Sequence, residues 1–146
     1  MAIRRKTALV VEDSPVQALA VKQLLEDQGL DVIRAADGRV GLIMAELHKP
    51  DVIVLDIEMP EMNGLEACKR LKQNRLTSHI PIVLLTAHDE PSTLLEGIDQ
   101  GAIDFIPKDA FSDKVLLETL RQLKVLGDNG AGYGGTGYGG TGYGNG

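Results

Sequence analysis

The stretch DVIVLDIEMPEMNG, residues 51–64, decides how the rest of the chain is arranged. Residues 52–55 form an uninterrupted, mostly β-branched apolar run, which is typical of a strand buried on both faces of a parallel sheet. Asp56 follows this run directly, and a proline and an Asn-Gly pair then mark a loop. We therefore expect Asp56 at the carboxyl end of a central strand, where open α/β sheets bind their ligands. The alternative is that Asp56 only caps the turn that follows it.

Length, charge and cysteine content limit the possible classes of protein. The 146 residues suffice for one domain of ordinary size. Fifteen Lys and Arg residues against 21 Asp and Glu residues give a net charge of -6, which argues against direct binding to nucleic acid. A single cysteine excludes an intrachain disulfide and fits a reducing compartment. Since neither a membrane-spanning run nor a secretory signal is evident, we expect a cytoplasmic protein without membrane contact.

Apolar runs at 7–11, 31–35, 80–85 and 103–106 accompany the central strand and alternate with five helical patterns. This alternation predicts a parallel sheet with helices on both faces. Pro107 cannot donate a ladder hydrogen bond, so it favours an edge position for the last strand. The predicted fold class is α/β, a doubly wound five-stranded parallel sheet with strand order 2-1-3-4-5.

Helix limits and apolar faces are also predicted by the pattern. Ser14 is the expected N-cap of the first helix, with Gln17 completing a capping box. Val16, Leu19 and Ala20 belong to its apolar repeat. The remaining residues expected on inward helix faces are Leu24, Leu25, Leu42, Ile43, Leu47, Leu65, Cys68, Leu71, Val115, Leu116, Leu120, Leu123 and Leu126.

The composition changes abruptly after Gly127, where the sequence repeats GYGGT. Glycine loses much conformational entropy on ordering, and evenly spaced tyrosines offset little of that cost. We therefore predict one folded domain at residues 1–127 and a flexible Gly/Tyr-rich tail at residues 128–146. The tail is interpreted as a linker, with a tether or weak self-association as the alternatives.

Glu12, Asp13 and Asp56 are the candidate metal ligands. In the predicted strand order the first and third strands are neighbours, so these carboxylates converge at one sheet edge. Closely spaced carboxylates repel one another unless a cation compensates them, and oxygen ligands alone favour Mg²⁺. We expect Asp13 and Asp56 to bind the ion directly, Glu12 to act through water, and the backbone carbonyl of Glu58 to supply a third protein ligand.

Thr86 and Lys108 follow the fourth and fifth strands and should reach the same crevice. A hydroxyl, an ammonium group and a divalent cation around one carboxylate can hold a tetrahedral dianion. The chemistry that fits is phosphoryl transfer with Asp56 as the nucleophile. Each residue also has a simpler explanation when it is considered alone. A threonine after a strand is usually structural, and a lysine after a proline is usually exposed to solvent. An acidic pair at the end of a strand often only caps the next helix.

Over about residues 6–126 the chain closely resembles the receiver domain of two-component response regulators. The residues that carry the resemblance are Glu12-Asp13, the D-x-x-M-P-x-M-x-G string from Asp56 to Gly64, Thr86-Ala87, and Gly101-Ala102 through Asp104-Phe105 to Lys108. The resemblance implies the flavodoxin-like fold of CheY-like receivers. One departure is that the family usually has a cis-bonded proline directly after the lysine, whereas here Pro107 precedes Lys108 and Asp109 follows it. The Lys108–Asp109 bond is therefore expected to be trans or strained.

The resemblance also implies a mechanism. Asp56 would accept a phosphoryl group from the phosphohistidine of a sensor histidine kinase or phosphotransfer protein, with Mg²⁺ bound. Thr86 would then move toward the phosphoryl group, and Phe105 would rotate inward behind it. A downstream protein would read the change on the face formed by the fourth helix, fifth strand and fifth helix. Glu58 and His88 occupy positions that in this family adjust the lifetime of the acyl phosphate, so their side chains would either hinder or align the hydrolytic water.

We interpret the chain as a stand-alone receiver, because no DNA-binding or catalytic pattern follows Gly127. It would phosphorylate itself from a donor and dephosphorylate itself without being a free-standing enzyme. The alternatives are a receiver fold that serves as a non-switching binding module and the receiver segment of a hybrid kinase. A hydrolase with Asp56 as the nucleophile is a weaker hypothesis, since the sequence shows no evident substrate cap.

Overall fold

The computed structural model describes residues 5–87, 91–109 and 112–127, including their side chains except those of Pro91, Thr93 and Leu94. His88 and the predicted tail lie outside the described residues. Strands and helices alternate in the order β1 Thr7–Val11, α1 Pro15–Asp27, β2 Asp31–Ala35, α2 Gly38–His48, β3 Val52–Asp56, α3 Gly64–Gln73, β4 Ile82–Thr86, α4 Pro91–Asp99, β5 Asp104–Pro107 and α5 Ser112–Gln122.

All strand pairs of the sheet are parallel, and the strand order is 2-1-3-4-5. The predicted fold class is therefore confirmed. β3 lies at the centre and all its residues are buried, as its apolar run indicated. β4 begins at Ile82 instead of residue 80, and β5 is shifted one residue toward the C terminus. Pro107 ends β5, which is an edge strand as predicted.

Alternate residues of the strands pack into two separate hydrophobic clusters, one on each face of the sheet. On one face, side chains such as Leu9, Ile53 and Leu84 pack with α2 and α3. On the other face, alternating neighbours such as Val10 and Val54 pack with α1 and α5. Both faces of the central strands are therefore buried, which explains their continuous apolar sequence. Among the described residues, no helix is long and apolar enough to span a bilayer.

α1 turns only some of its apolar side chains toward the sheet. Its buried residues are Ala18 and Leu25, whereas Val16 is 78% exposed and Leu19 is 53% exposed. Ala20 is exposed as well. The predicted inward face is therefore wrong at three positions. The reason is that the helix packs through Ala18, Val21 and Leu25, which recur at helical spacing, and the other three residues fall outside that face.

α2 shows the same behaviour. It buries Gly41 and Ala45, and a Cβ added to Gly41 would lie only 3.0 Å from a methyl carbon of Val11. Ile43 and Leu47, which were predicted to face inward, are exposed instead. Small residues thus define the contact between this helix and β1, because only they permit so close an approach.

Elsewhere the predicted helix faces agree with the structure better. Buried as predicted are Leu25, Leu65, Cys68, Leu71, Leu116 and Leu120. Val115 was also predicted to face inward, but it is exposed on α5. α3 and α5 carry clear polar and apolar sides, so the periodic pattern alone identifies most of the inward residues.

Candidate functional site

Five of the predicted site residues come together at the carboxyl-terminal edge of the sheet. Asp56 is the last residue of β3, and Thr86 is the last residue of β4. Glu12 and Asp13 directly follow β1, and Lys108 directly follows β5. Because all the strands are parallel, these ends lie on one side of the domain. The gathering of these side chains is what the strand pattern predicted.

The three acidic side chains form a compact cluster. One carboxylate oxygen from each of Glu12, Asp13 and Asp56 lies within 4.8 Å of the other two. Glu12 and Asp56 are only 3% and 2% exposed, while Asp13 is open to solvent. Such a set of oxygen donors fits a hard divalent cation such as Mg²⁺. The separate roles as direct or water-mediated ligands, and the role of the Glu58 carbonyl, stay predictions.

Lys108 links the acidic cluster to two neighbouring elements. Its Nζ lies 2.9 Å from Asp56 Oδ1 and 3.2 Å from Glu12 Oε1, and it also donates to Gln17 Oε1 at 2.7 Å. Burial alone would lower the pKa of this lysine, but its contacts with the two carboxylates outweigh burial and raise the pKa above its usual value. Lys108 is therefore a fixed positive charge beside Asp56.

Asp56 is an unusually weak acid in this environment. Burial raises its pKa from 3.8 to about 6, and the charge of Glu12 adds to the rise. The hydrogen bond from Lys108 works in the opposite direction but does not cancel burial. At neutral pH Asp56 is still mostly ionised, and its raised pKa makes it more basic than an ordinary aspartate.

The end of β4 is held by the side chain of Glu58, in the loop after β3. The Thr86 hydroxyl donates to Glu58 Oε2 at 2.5 Å, and the Ala87 amide donates to Glu58 Oε1 at 2.9 Å. Glu58 was predicted to supply a backbone carbonyl ligand and to adjust the lifetime of the acyl phosphate, but the contact of its carboxylate with β4 was not predicted. Thr86 is buried, so its hydroxyl is directed by this bond.

Two further residues of the site were missed by the sequence reasoning. Arg34 on β2 donates to the backbone carbonyl of Glu12 at 2.8 Å and to that of Asp13 at 3.3 Å. The feature of the sequence that could have identified Arg34 is its position as a single charged residue within an otherwise apolar run. Gln17 was predicted to complete a capping box; its amide makes the expected bond to Ser14, but its side chain accepts from Lys108 instead of returning to the cap.

The N-terminal cap of α1 is completed differently. Ser14 Oγ accepts from the Gln17 amide as predicted, and the Ser14 amide donates to Glu12 Oε2 at 3.1 Å. Glu12, which precedes the helix, therefore accepts the bond from the Ser14 amide that the Gln17 side chain was expected to accept. This bond also fixes the orientation of the Glu12 carboxylate.

Phe105 is half-buried on β5 and packs against the cluster that includes Leu84. Its switching role stays a prediction, as does that of Thr86. The Lys108–Asp109 bond is trans, like every peptide bond among the described residues. Lys108 nevertheless reaches Asp56, so the absence of a proline after the lysine does not displace the ammonium group from the site.

Comparison with known proteins agrees with the fold. The family description "Response regulator receiver domain" matches residues 8–121. Protein PilH of Pseudomonas aeruginosa is 36% identical over 112 residues, which are 77% of this chain and 92% of PilH. The alkaline phosphatase synthesis transcriptional regulatory protein PhoP of Bacillus subtilis is 43% identical over 103 residues, which are 70% of this chain but only 42% of PhoP. The chain thus spans less than half the length of PhoP.

Solved structures show the same likeness. The chemotaxis protein CheY4 of Vibrio cholerae superimposes with a TM-score of 0.76 and 34% sequence identity. The match covers 82% of this chain and 99% of that one. The sheet order, the acidic edge and these matches lead to one conclusion: the chain belongs to the response regulator receiver domain family.

Proposed function

We propose that this receiver accepts a phosphoryl group on Asp56 from a phosphohistidine in a two-component phosphorelay and signals through protein contacts. The observation that supports this most directly is the environment of Asp56. A buried carboxylate of raised pKa is paired with Lys108 and lies beside two further acids, Glu12 and Asp13. The donor would be a sensor histidine kinase or a phosphotransfer protein.

The reaction requires a nucleophile and a way to neutralise charge. A carboxylate oxygen of Asp56 forms a bond to phosphorus while the bond from phosphorus to the histidine nitrogen breaks, and that nitrogen keeps the electron pair and takes up a proton. A nucleophile of raised pKa forms the new bond more readily than an ordinary aspartate. Its burial also keeps competing water away from the attacking oxygen.

The neighbouring side chains then bind the product. Lys108 already touches Asp56 and would hold one phosphoryl oxygen, and the Thr86 hydroxyl would donate to another. Mg²⁺, held by Asp13, Asp56 and the Glu58 carbonyl with Glu12 acting through water, would neutralise part of the charge on the phosphoryl group. Slow hydrolysis of the acyl phosphate would return the domain to its starting state, which makes it a signalling module and not a classical enzyme.

The output would leave the domain through α4, β5 and α5. Thr86 precedes α4 in the chain, and Lys108 follows β5, so a change in either residue would act on this face. Exposed apolar side chains suited to a protein partner lie there, at Leu95, Ile98, Ile103 and Val115. The inward rotation of Phe105 would couple the site to this surface.

We further propose that the protein works in the cytoplasm and without direct DNA contact. The near full-length match to PilH supports a receiver that acts by itself. The folded unit would then comprise residues 1–127, and residues 128–146 would serve as a linker or tether, in keeping with their glycine content.

A small phosphoramidate donor with Mg²⁺ tests the acceptor. Intact mass spectrometry of the full chain should show the addition of one phosphoryl group, and this adduct should be lost on treatment with hydroxylamine. Asp56→Asn should show no addition. Asp27→Asn, which changes an exposed carboxylate at the end of α1, should be labelled like the wild type. Undiminished labelling of Asp56→Asn would remove Asp56 from the role.

A further inference from the structure

Among the described residues, two donors that are adjacent in the chain bind the carboxylate of Glu58. The Thr86 hydroxyl and the Ala87 amide each donate to a different oxygen of Glu58, at 2.5 and 2.9 Å. Together they form an anion-binding pair at the end of β4. Hydrogen bonds to an ionised acceptor are stronger than those between neutral groups.

This donor pair lies next to Asp56. In the sheet Asp56 pairs with Leu85, the residue before Thr86, and the Ile57 amide donates to the Leu85 carbonyl at 2.9 Å. The loop that carries Glu58 is thus fixed to β4 immediately beside the donors. The side chain of Glu58 reaches them from the loop that follows Asp56, only two residues after the acceptor itself.

The donors at the site therefore serve different carboxylates. Lys108 is paired with Asp56 and Glu12, while Thr86 and Ala87 are paired with Glu58. A carboxylate and a phosphoryl group are both oxyanions, and both accept from O–H and N–H groups. An acceptor in the position of Glu58 therefore competes with any anion on Asp56 that uses the same two donors.

We propose that Glu58 is an internal competitor that occupies the Thr86–Ala87 donor pair and leaves it when an anion binds at Asp56. This inference rests on the proposed function, because it identifies what the phosphoryl group must displace. Departure of Glu58 frees both donors for the incoming oxygens. Its negative charge also opposes a dianion placed beside it, so removing the carboxylate favours anion binding in two ways.

Fluoroberyllate, formed from beryllium and fluoride in the presence of Mg²⁺, is a suitable probe because it binds a carboxylate as a tetrahedral phosphoryl analogue. Its affinity for the full chain is measured by ¹⁹F NMR and by the amide resonance of Ala87. Glu58→Ala should bind fluoroberyllate at least about tenfold more tightly than wild type, as expected from the loss of competing charge-assisted bonds. Glu58→Gln, which is similar in shape but uncharged, should have an affinity for fluoroberyllate between those of wild type and Glu58→Ala.

Glu61→Gln is the matched control, since it removes an exposed charge from the same loop. It should leave the affinity at the wild-type value. Without beryllium or Mg²⁺, the Ala87 amide should exchange its hydrogen faster in Glu58→Ala than in wild type, because the bond to Glu58 is gone. This second readout reports the contact itself.

The outcomes separate the two proposals. Binding by wild type with no gain in either Glu58 variant overturns the competitor role but leaves the acceptor role of Asp56 intact. Binding only by Glu58→Ala supports the competitor role. Equal affinity of wild type and Asp56→Asn for fluoroberyllate would show that the anion does not bind at Asp56, and this overturns the proposed function and the inference that rests on it.

Discussion

Asp56 is a carboxylate that the fold buries next to a second buried acid, Glu12. The charged form of Asp56 is disfavoured there, as its pKa of about 6 records. The same environment that suits a nucleophile therefore costs folding stability at neutral pH. Lys108 offsets part of this cost through its contacts with both carboxylates.

The cost can be measured as a dependence of stability on pH. In the unfolded chain Asp56 titrates near 3.8, and in the folded chain near 6, so the folded state holds more protons between these values. The contribution of Asp56 to stability is therefore fully present below about pH 4 and is lost as the pH rises to about 6. The free energy of unfolding should decrease by at most about 3 kcal/mol over this range. Asp56→Asn should lack this fall and should be more stable than wild type at pH 7.

Urea unfolding of both proteins between pH 4 and pH 7, with a chelator present, provides the measurement. The difference in free energy of unfolding should grow in favour of Asp56→Asn as the pH increases. Parallel stability profiles for the two proteins would contradict the raised pKa of Asp56.

Site residues at strand ends were predictable from sequence, and those that depend on side-chain direction were not. Asp56, Thr86 and Lys108 each follow an apolar run, and parallel strands bring such ends to a common edge. The contact of Glu58 with Thr86 depends on the path of a loop and on the rotamer of one side chain. Neither can be predicted from the spacing of residues in the sequence.

At the level of secondary structure, the start of α3 lies directly against the end of β3. The Gly64 amide donates to the Ile57 carbonyl at 3.0 Å, and the Asn63 side chain caps the helix by accepting from the Glu66 amide. A Cβ on Gly64 would collide with the backbone carbonyl oxygen of Asp56 and would lie 2.8 Å from Ile57 Cα. The helix can approach the acceptor strand this closely only because residue 64 lacks a side chain.

Gly64→Ala should therefore be strongly destabilising, because the atoms it meets belong to the backbone and cannot move aside. We expect the free energy of unfolding to fall by about 3 kcal/mol, which is the upper end of the usual range for overpacked sites. Asn63→Ala, which removes only the cap bond, should lose about 1 kcal/mol. Urea unfolding at pH 7 measures both, and an equal or smaller loss for Gly64→Ala would contradict the close packing.

The faces of the helices were harder to predict than their positions. α1 and α2 carry apolar residues on more than one side, so periodicity does not identify the side that packs. The structure buries Ala18 and Ala45 and exposes Leu19 and Ile43, because small side chains allow these helices to lie close to the sheet. In α3 the apolar residues are confined to one side, and there the prediction was right.

On the scale of the whole molecule, the acidic cluster joins parts of the chain that are far apart in sequence. Glu12 and Asp13 follow β1, and Asp56 ends β3, so a cation held between them would connect two strands of the sheet. A ligand that binds only the folded state stabilises it, and the gain depends on how far its concentration exceeds the dissociation constant. Mg²⁺ should therefore raise the melting temperature of the domain.

At a Mg²⁺ concentration ten times the dissociation constant we expect a gain of about 1.4 kcal/mol, which corresponds to about 4 °C for a domain of this size. Asp13→Asn should abolish this increase, because it removes a carboxylate from the cluster. Asp13 is exposed, so the melting temperature without metal should change little. Differential scanning calorimetry with and without Mg²⁺ measures both quantities.

Asp27→Asn serves as the control, since it changes an exposed carboxylate on α1 outside the acidic cluster. It should keep the full increase in melting temperature. If Asp13→Asn also kept it, the cation would have to bind elsewhere.

Pro107, the last residue of the edge strand β5, has a consequence for how molecules of this protein meet. The Lys108 amide is directed toward β4, where it donates to the Thr86 carbonyl at 2.6 Å. The backbone nitrogen of Pro107 therefore faces the unpaired side of β5, and because it belongs to a proline it carries no hydrogen. A strand from another molecule would find a donor missing at that point, so this rim is protected against intermolecular strand addition and the aggregation that can follow from it.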